Sequence, residues 1–170
     1  NASLLARVGD FFFKEKPAQA ADYYKRAIDA DSNNNRARVQ LGASLVRSMQ
    51  IEAALPVLAD AISREPNNYP AHASLATALF KQKLYPAAAR EFLWIIRVRP
   101  EVPASYYFLA IALDHLGDCE QAYRTYQEFV RRADQAASKN EVEEAKARSS
   151  QLQRLIRERK CNSPAKKKGK

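Results

Sequence analysis

Apolar residues recur along this chain at steps of three and four, the period of one buried helix face, and short polar or proline-bearing breaks interrupt them. Residues 3–14 gather Leu4, Leu5, Val8, Phe11, Phe12 and Phe13 on one broad face, and residues 17–30 carry Ala20, Tyr23, Tyr24, Ala27 and Ile28 at helical spacing. The same reading predicts helices over 36–48, 51–64, 69–82, 85–98, 103–116 and 119–133, and a longer one over 138–160. Pro17 and Pro86 suit first helical turns, where the missing N–H costs nothing. Pro56 falls just past a first turn, so a slight bend is expected, and Pro66 and Pro100 act as terminators. The run 31–35 ends one helix and supplies caps for the next. Gly117 breaks the fourth pair, Asp118 with Gln121 has capping-box spacing, and so does Ser138 with Glu141.

The helices repeat as well as alternate. Ala54, Leu58, Ala61 and Pro66 return 34 residues later as Ala88, Phe92, Ile95 and Pro100, and again as Ala122, Tyr126, Phe129 and Asp134. Upstream, the same step reaches Ala20, Tyr24, Ala27 and Ser32. A fixed period of this length marks stacked supersecondary units. Each hairpin is too thin to bury its own apolar face, so neighbours must share it.

The first helices carry a matching signature: Val8-Gly9 with Phe12, Leu41-Gly42 with Leu45, Leu75-Ala76 with Leu79, Leu109-Ala110 with Leu113. Together with the second-helix positions, this pattern over residues 3–134 resembles the tetratricopeptide repeat. The first unit is one residue short between Gly9 and Ala20, and Asp134 stands where a proline is usual. The resemblance implies an all-α fold, a right-handed superhelical α-solenoid of four helix-turn-helix repeats (3–34, 35–68, 69–102 and 103–136). The helix over 138–160 resembles the family's capping helix and completes a single domain, 1–160. Proteins of this family hold a peptide or a partner helix in a concave groove lined by the first helices, and the resemblance carries no enzymatic activity.

Composition narrows this picture. Hydrophobic residues make up 46% of the 170-residue chain and charged residues 28%, an ordinary folded mixture. No apolar run reaches the ~20 residues of a membrane-spanning helix, so a soluble, cytoplasmic protein is expected. The alternative is part of an anchored or exported protein whose N-terminal segment is missing. The net charge of +9 is concentrated: eight basic residues and one acid lie between Arg154 and Lys170. The rest is close to neutral, which argues against nucleic-acid binding across the folded surface. The tail, 161–170, lacks core-forming residues and is expected to be disordered; recruitment to nucleic acid or anionic membrane through it is the alternative function. Pairing of Cys119 with Cys161 is not expected, because the tail would have to fold back.

No catalytic, metal or cofactor constellation stands out. Asp114, His115 and Cys119 cluster in sequence, but a turn divides them and no fourth ligand is evident. His72 reads as a packing residue, and Trp94, Tyr123 and Tyr126 as core. Once core positions are assigned, the remaining first-helix residues supply the groove. The partner-binding candidates are Phe13, Lys14, Arg36, Val39, Val46, Arg47, Thr77, Phe80, Lys81, Tyr107 and Ile111. Phe13-Lys14, Val46-Arg47 and Phe80-Lys81 each set an apolar residue beside a cation, a ladder suited to a protein or peptide segment mixing apolar side chains and carboxylates. The Lys and Asn that some family members use to clamp a C-terminal carboxylate are replaced by Ala6, Asp10, Val39, Ala43, Ala73 and Thr77.

Overall fold

A computed structural model describes residues 1–134 and 138–161. The expected disordered stretch 162–170 therefore lies outside the described residues. Among the described residues there are nine helices and no strand: α1 (Ala2–Phe12), α2 (Pro17–Ala30), α3 (Asn35–Arg47), α4 (Ile51–Arg64), α5 (Tyr69–Lys81), α6 (Tyr85–Val98), α7 (Pro103–His115), α8 (Cys119–Arg132) and α9 (Lys139–Arg157). None is long and apolar enough to cross a membrane.

Local chemistry explains the boundaries. The side chains of Asn1, Asn34, Asn68 and Asp118 accept from backbone N–H groups in the turns they precede, at 2.9–3.2 Å. Each cap satisfies a donor that the helix leaves without a partner. Ser138 departs from expectation: it makes no side-chain cap bond to α9. α4 continues through Pro56. Three hairpins turn through a left-handed residue in the same register, Met49, Lys83 and Gly117, with φ of 62°, 58° and 76°. Gln50 N–H to Leu45 C=O and Asp118 N–H to Leu113 C=O close two of these turns in the Schellman manner. The hairpin of α1 and α2, one residue shorter, has no left-handed residue.

Two compact units divide at the turn after α5, residues 1–83 and residues 84 onward. In the first, Ala6, Ala20, Tyr24, Ala27, Ala37, Leu41, Leu45, Ala54 and Leu58 build the core. Gly9 and Gly42 set how closely its helices approach. A Cβ at Gly9 would lie 2.7 Å from the Tyr24 ring, and one at Gly42 would lie 2.4 Å from Leu58. Val39 and Val46, expected on the groove, are instead 5% and 6% exposed and belong to this packing. α3 packs against three helices, α2, α4 and α5, which leaves few of its residues outside.

In the second unit Tyr106, Ala110, Ala122, Tyr126, Phe129, Val142, Ala145 and Leu152 form the core, with Leu155 and Ile156 of α9 partly buried against it. α9 thus buries one apolar face against this core. After α9, Arg159 turns left-handed (φ 55°), and Lys160 N–H returns to Leu155 C=O at 3.0 Å. That reversal brings Cys161 back to the start of α8, where it is disulfide-bonded to Cys119 with 6.0 Å between Cα atoms. The expectation of unpaired cysteines is overturned, because the helix ends in a tight turn and does not run on into the tail.

One periodic device was hidden by its varied chemistry. Arg38, His72 and Tyr106 occupy the same register in successive first helices. Each side chain donates to the carbonyl six residues earlier: Arg38 to Ser32, His72 to Pro66 at 3.0 Å and Tyr106 to Pro100 at 3.2 Å. These bonds hold the loop between one hairpin and the next, so His72 is structural, as expected. Arg38 is buried, and its charge is met by Asp60 at 2.7 Å.

Candidate functional site

On α1, α3 and α5 the candidate residues fall into two groups. The first is committed internally. Arg36 reaches back to Asp10 at 2.7 Å, and the Tyr24 hydroxyl donates to the other oxygen of that carboxylate at 2.7 Å. Burial, with the Asp10 hydrogen bond second, pushes the Tyr24 phenol well above its usual range. Arg36 therefore completes a three-residue network tying α1, α2 and α3, and a ligand would meet a neutralised cation. Val39 and Val46 are core.

The second group stays at the surface. Lys14, Arg47 and Lys81 are exposed, in or just after the last turns of α1, α3 and α5. The Arg47 guanidinium lies 5.2 Å from the centre of the Phe13 ring and donates to the Lys14 carbonyl at 3.1 Å. Lys81 Nζ lies 3.6 Å from the sulfur of Met49, two residues after Arg47. Contacts thus link the three helix ends into one edge, and among the described residues none of the three cations is paired with a carboxylate. Phe80 is half-buried and Thr77 exposed, its hydroxyl turned to the Ala73 carbonyl at 2.9 Å. Cations here are also favoured by the partial negative charge of helix C-termini.

In the second unit, α9 takes up the corresponding residues of α7. The Tyr107 hydroxyl donates to Glu144 at 2.8 Å, and Ile111 packs against the core. Burial first, then Glu144, raises the Tyr107 phenol. Asp114 receives both arms of Arg148 at 2.6 and 2.8 Å. His115 stacks on Tyr85 with ring centres 4.2 Å apart, and Cys119 is in the disulfide. The sequence cluster Asp114–His115–Cys119 is thereby divided among three separate interactions. Among the described residues no group of three His, Cys, Asp or Glu side chains could hold a metal ion.

The profile of the tetratricopeptide repeat matches residues 5–68, 39–93 and 74–137 in overlapping stretches. Among curated proteins, the Vi polysaccharide export protein VexE of Salmonella typhi is 26% identical over 117 residues. That match spans 69% of this chain and only 18% of VexE. Among solved structures, MamA from Desulfovibrio magneticus RS-1 superposes with a TM-score of 0.75 at 20% identity, over 92% of this chain and 96% of that one. YrrB, described as a tetratricopeptide protein with an unusual peptide-binding site, gives 0.69 at 21% identity over 76% of this chain and 68% of YrrB. At such identities these likenesses establish the fold. With repeat signature, hairpin geometry and profile in agreement, the chain belongs to the tetratricopeptide repeat family.

Proposed function

We propose that this protein is a non-enzymatic scaffold that binds a protein or peptide segment combining apolar side chains with carboxylates. The observation that carries the reading is the edge formed by Lys14, Arg47 and Lys81, with Arg47 against Phe13 and the Lys14 carbonyl, Lys81 against Met49, and none of the three cations paired with a carboxylate among the described residues. An extended acidic segment crossing the three helix ends would meet a cation at each step, and its apolar residues would meet the rings between them. Phe13, Lys14, Arg47, Thr77, Phe80 and Lys81 form this surface. Arg36 contributes by holding Asp10, and Tyr107 and Ile111 are committed to α9. The peptide-binding site named for YrrB supports the class of ligand.

Isothermal titration of an acidic–apolar peptide into the wild-type chain and an Arg47→Glu/Lys81→Glu variant tests the reading. Loss of about tenfold or more in affinity, steepened at low salt, is the expected result. Equal affinity would remove this edge from the binding surface.

A further inference from the structure

Met49 holds the left-handed position of the turn between α3 and α4, with α1 and α2 before it and α5 after it in the same unit. It is the chain's only methionine, and it is 64% exposed. Methionine usually fills gaps in a core, but this one lies outside the core. Its sulfur is 3.6 Å from Lys81 Nζ, and Arg47, two residues earlier, reaches the Phe13 ring and the Lys14 carbonyl. An open thioether thus stands within the edge of cations. Gln50, Glu52 and Gln82 border a depression beside Met49, which gives a small reagent access to the side chain.

The chemistry open to such a group is oxidation by hydrogen peroxide. A sulfur lone pair attacks one peroxide oxygen, so that the S–O bond forms as the O–O bond breaks. The departing hydroxide takes the proton left on the transferred oxygen and leaves as water. Sulfur gives up two electrons and the peroxide accepts them. A thioether is a weak hydrogen-bond acceptor, and the sulfoxide that replaces it is polar. The new oxygen is bonded to a sulfur already beside the Lys81 ammonium, within hydrogen-bonding reach of it. Among the described residues no carboxylate is paired with Lys81 to compete for it. The sulfoxide would therefore engage the ammonium that a partner's carboxylate needs.

We infer that Met49 is an oxidative modification site, and that its sulfoxide, hydrogen-bonded by Lys81, switches the Lys14–Arg47–Lys81 edge to a weaker-binding state. This regulation rests on the proposed function, because it acts through the same edge. Methionine sulfoxide reductases reverse the modification, so the edge can be restored.

The test treats the whole chain with hydrogen peroxide and follows intact mass, melting and calorimetric titration with the acidic–apolar peptide. The wild type should gain one oxygen and Met49→Leu none. Because Met49 is exposed, the oxidised chain should melt with the untreated one. Oxidation should weaken peptide binding about fivefold, the scale of one hydrogen bond, and reductase should restore it. Met49→Leu should bind equally before and after peroxide. In Lys81→Ala, oxidation should change affinity by about twofold or less, because the ammonium that the sulfoxide engages is gone. Resistance of Met49 to peroxide, affinity unchanged by oxidation, or an equal loss in Met49→Leu or Lys81→Ala would overturn the inference and leave the proposed function standing. Failure of the untreated chain to bind the peptide would refute both.

Discussion

Gly42→Ala and Leu58→Ala, made singly and together, probe how the hairpins pack. A Cβ at Gly42 would stand 2.4 Å from Leu58 Cδ2 and 2.5 Å from Cγ, and Leu58 has no exposed surface into which to move. Overpacking of this kind costs roughly 1–3 kcal/mol, while replacing helical Gly returns about 1 kcal/mol. The single Gly42→Ala variant should therefore lose about 1 kcal/mol. Leu58→Ala empties a fully buried site and should cost about 2–5 kcal/mol. In the double variant the new methyl occupies space that Leu58 has vacated, so the clash vanishes and part of the cavity fills. The combined loss should fall short of the sum by about 1 kcal/mol or more, within the range for contacting residues. Urea denaturation followed by circular dichroism at 222 nm measures all three. Additivity within about 0.3 kcal/mol would refute direct packing of Gly42 on Leu58.

Two further outcomes concern the units separately. Tyr24→Phe deletes the donor to Asp10 and should cost about 0.5–1.5 kcal/mol. Because folding raises the Tyr24 pKa, its contribution is complete below about pH 10 and is lost as the pH rises through the folded value. The alkaline limb of a stability profile should flatten in Tyr24→Phe and remain steep in wild type. Reduction of Cys119–Cys161, which spans 42 residues, should destabilise the second unit by about 3–4 kcal/mol on chain-entropy grounds. Hydrogen exchange with and without reductant should show α8 and α9 losing protection while α1–α5 keep theirs.

The helices and their stacking could be read from the sequence because they depend on patterns repeated four times. The small residues Gly9 and Gly42 of the first helices and the large Tyr24 and Leu58 of the second follow from spacing alone, and helix boundaries fall within three residues of expectation. Function-bearing details were harder, because they rest on single contacts across distant positions. Arg36 looked available until Asp10, 26 residues away, came beside it. Val46 shares a register with the half-buried Phe13 and Phe80, but α3 packs against α2, α4 and α5. The disulfide depended on the left-handed turn at Arg159, a residue type with no special preference for it. The clamps made by Arg38, His72 and Tyr106 escaped notice because three unlike side chains perform one task.

The central claim is that the linked ends of α1, α3 and α5 recognise carboxylates together with apolar side chains. Titration calorimetry on wild type and Arg47→Glu/Lys81→Glu, with one acidic–apolar peptide at two salt concentrations, addresses it most directly. The account predicts binding to wild type that weakens with salt, and a loss of about tenfold or more on charge reversal. Binding unchanged by the reversal and insensitive to salt would contradict it.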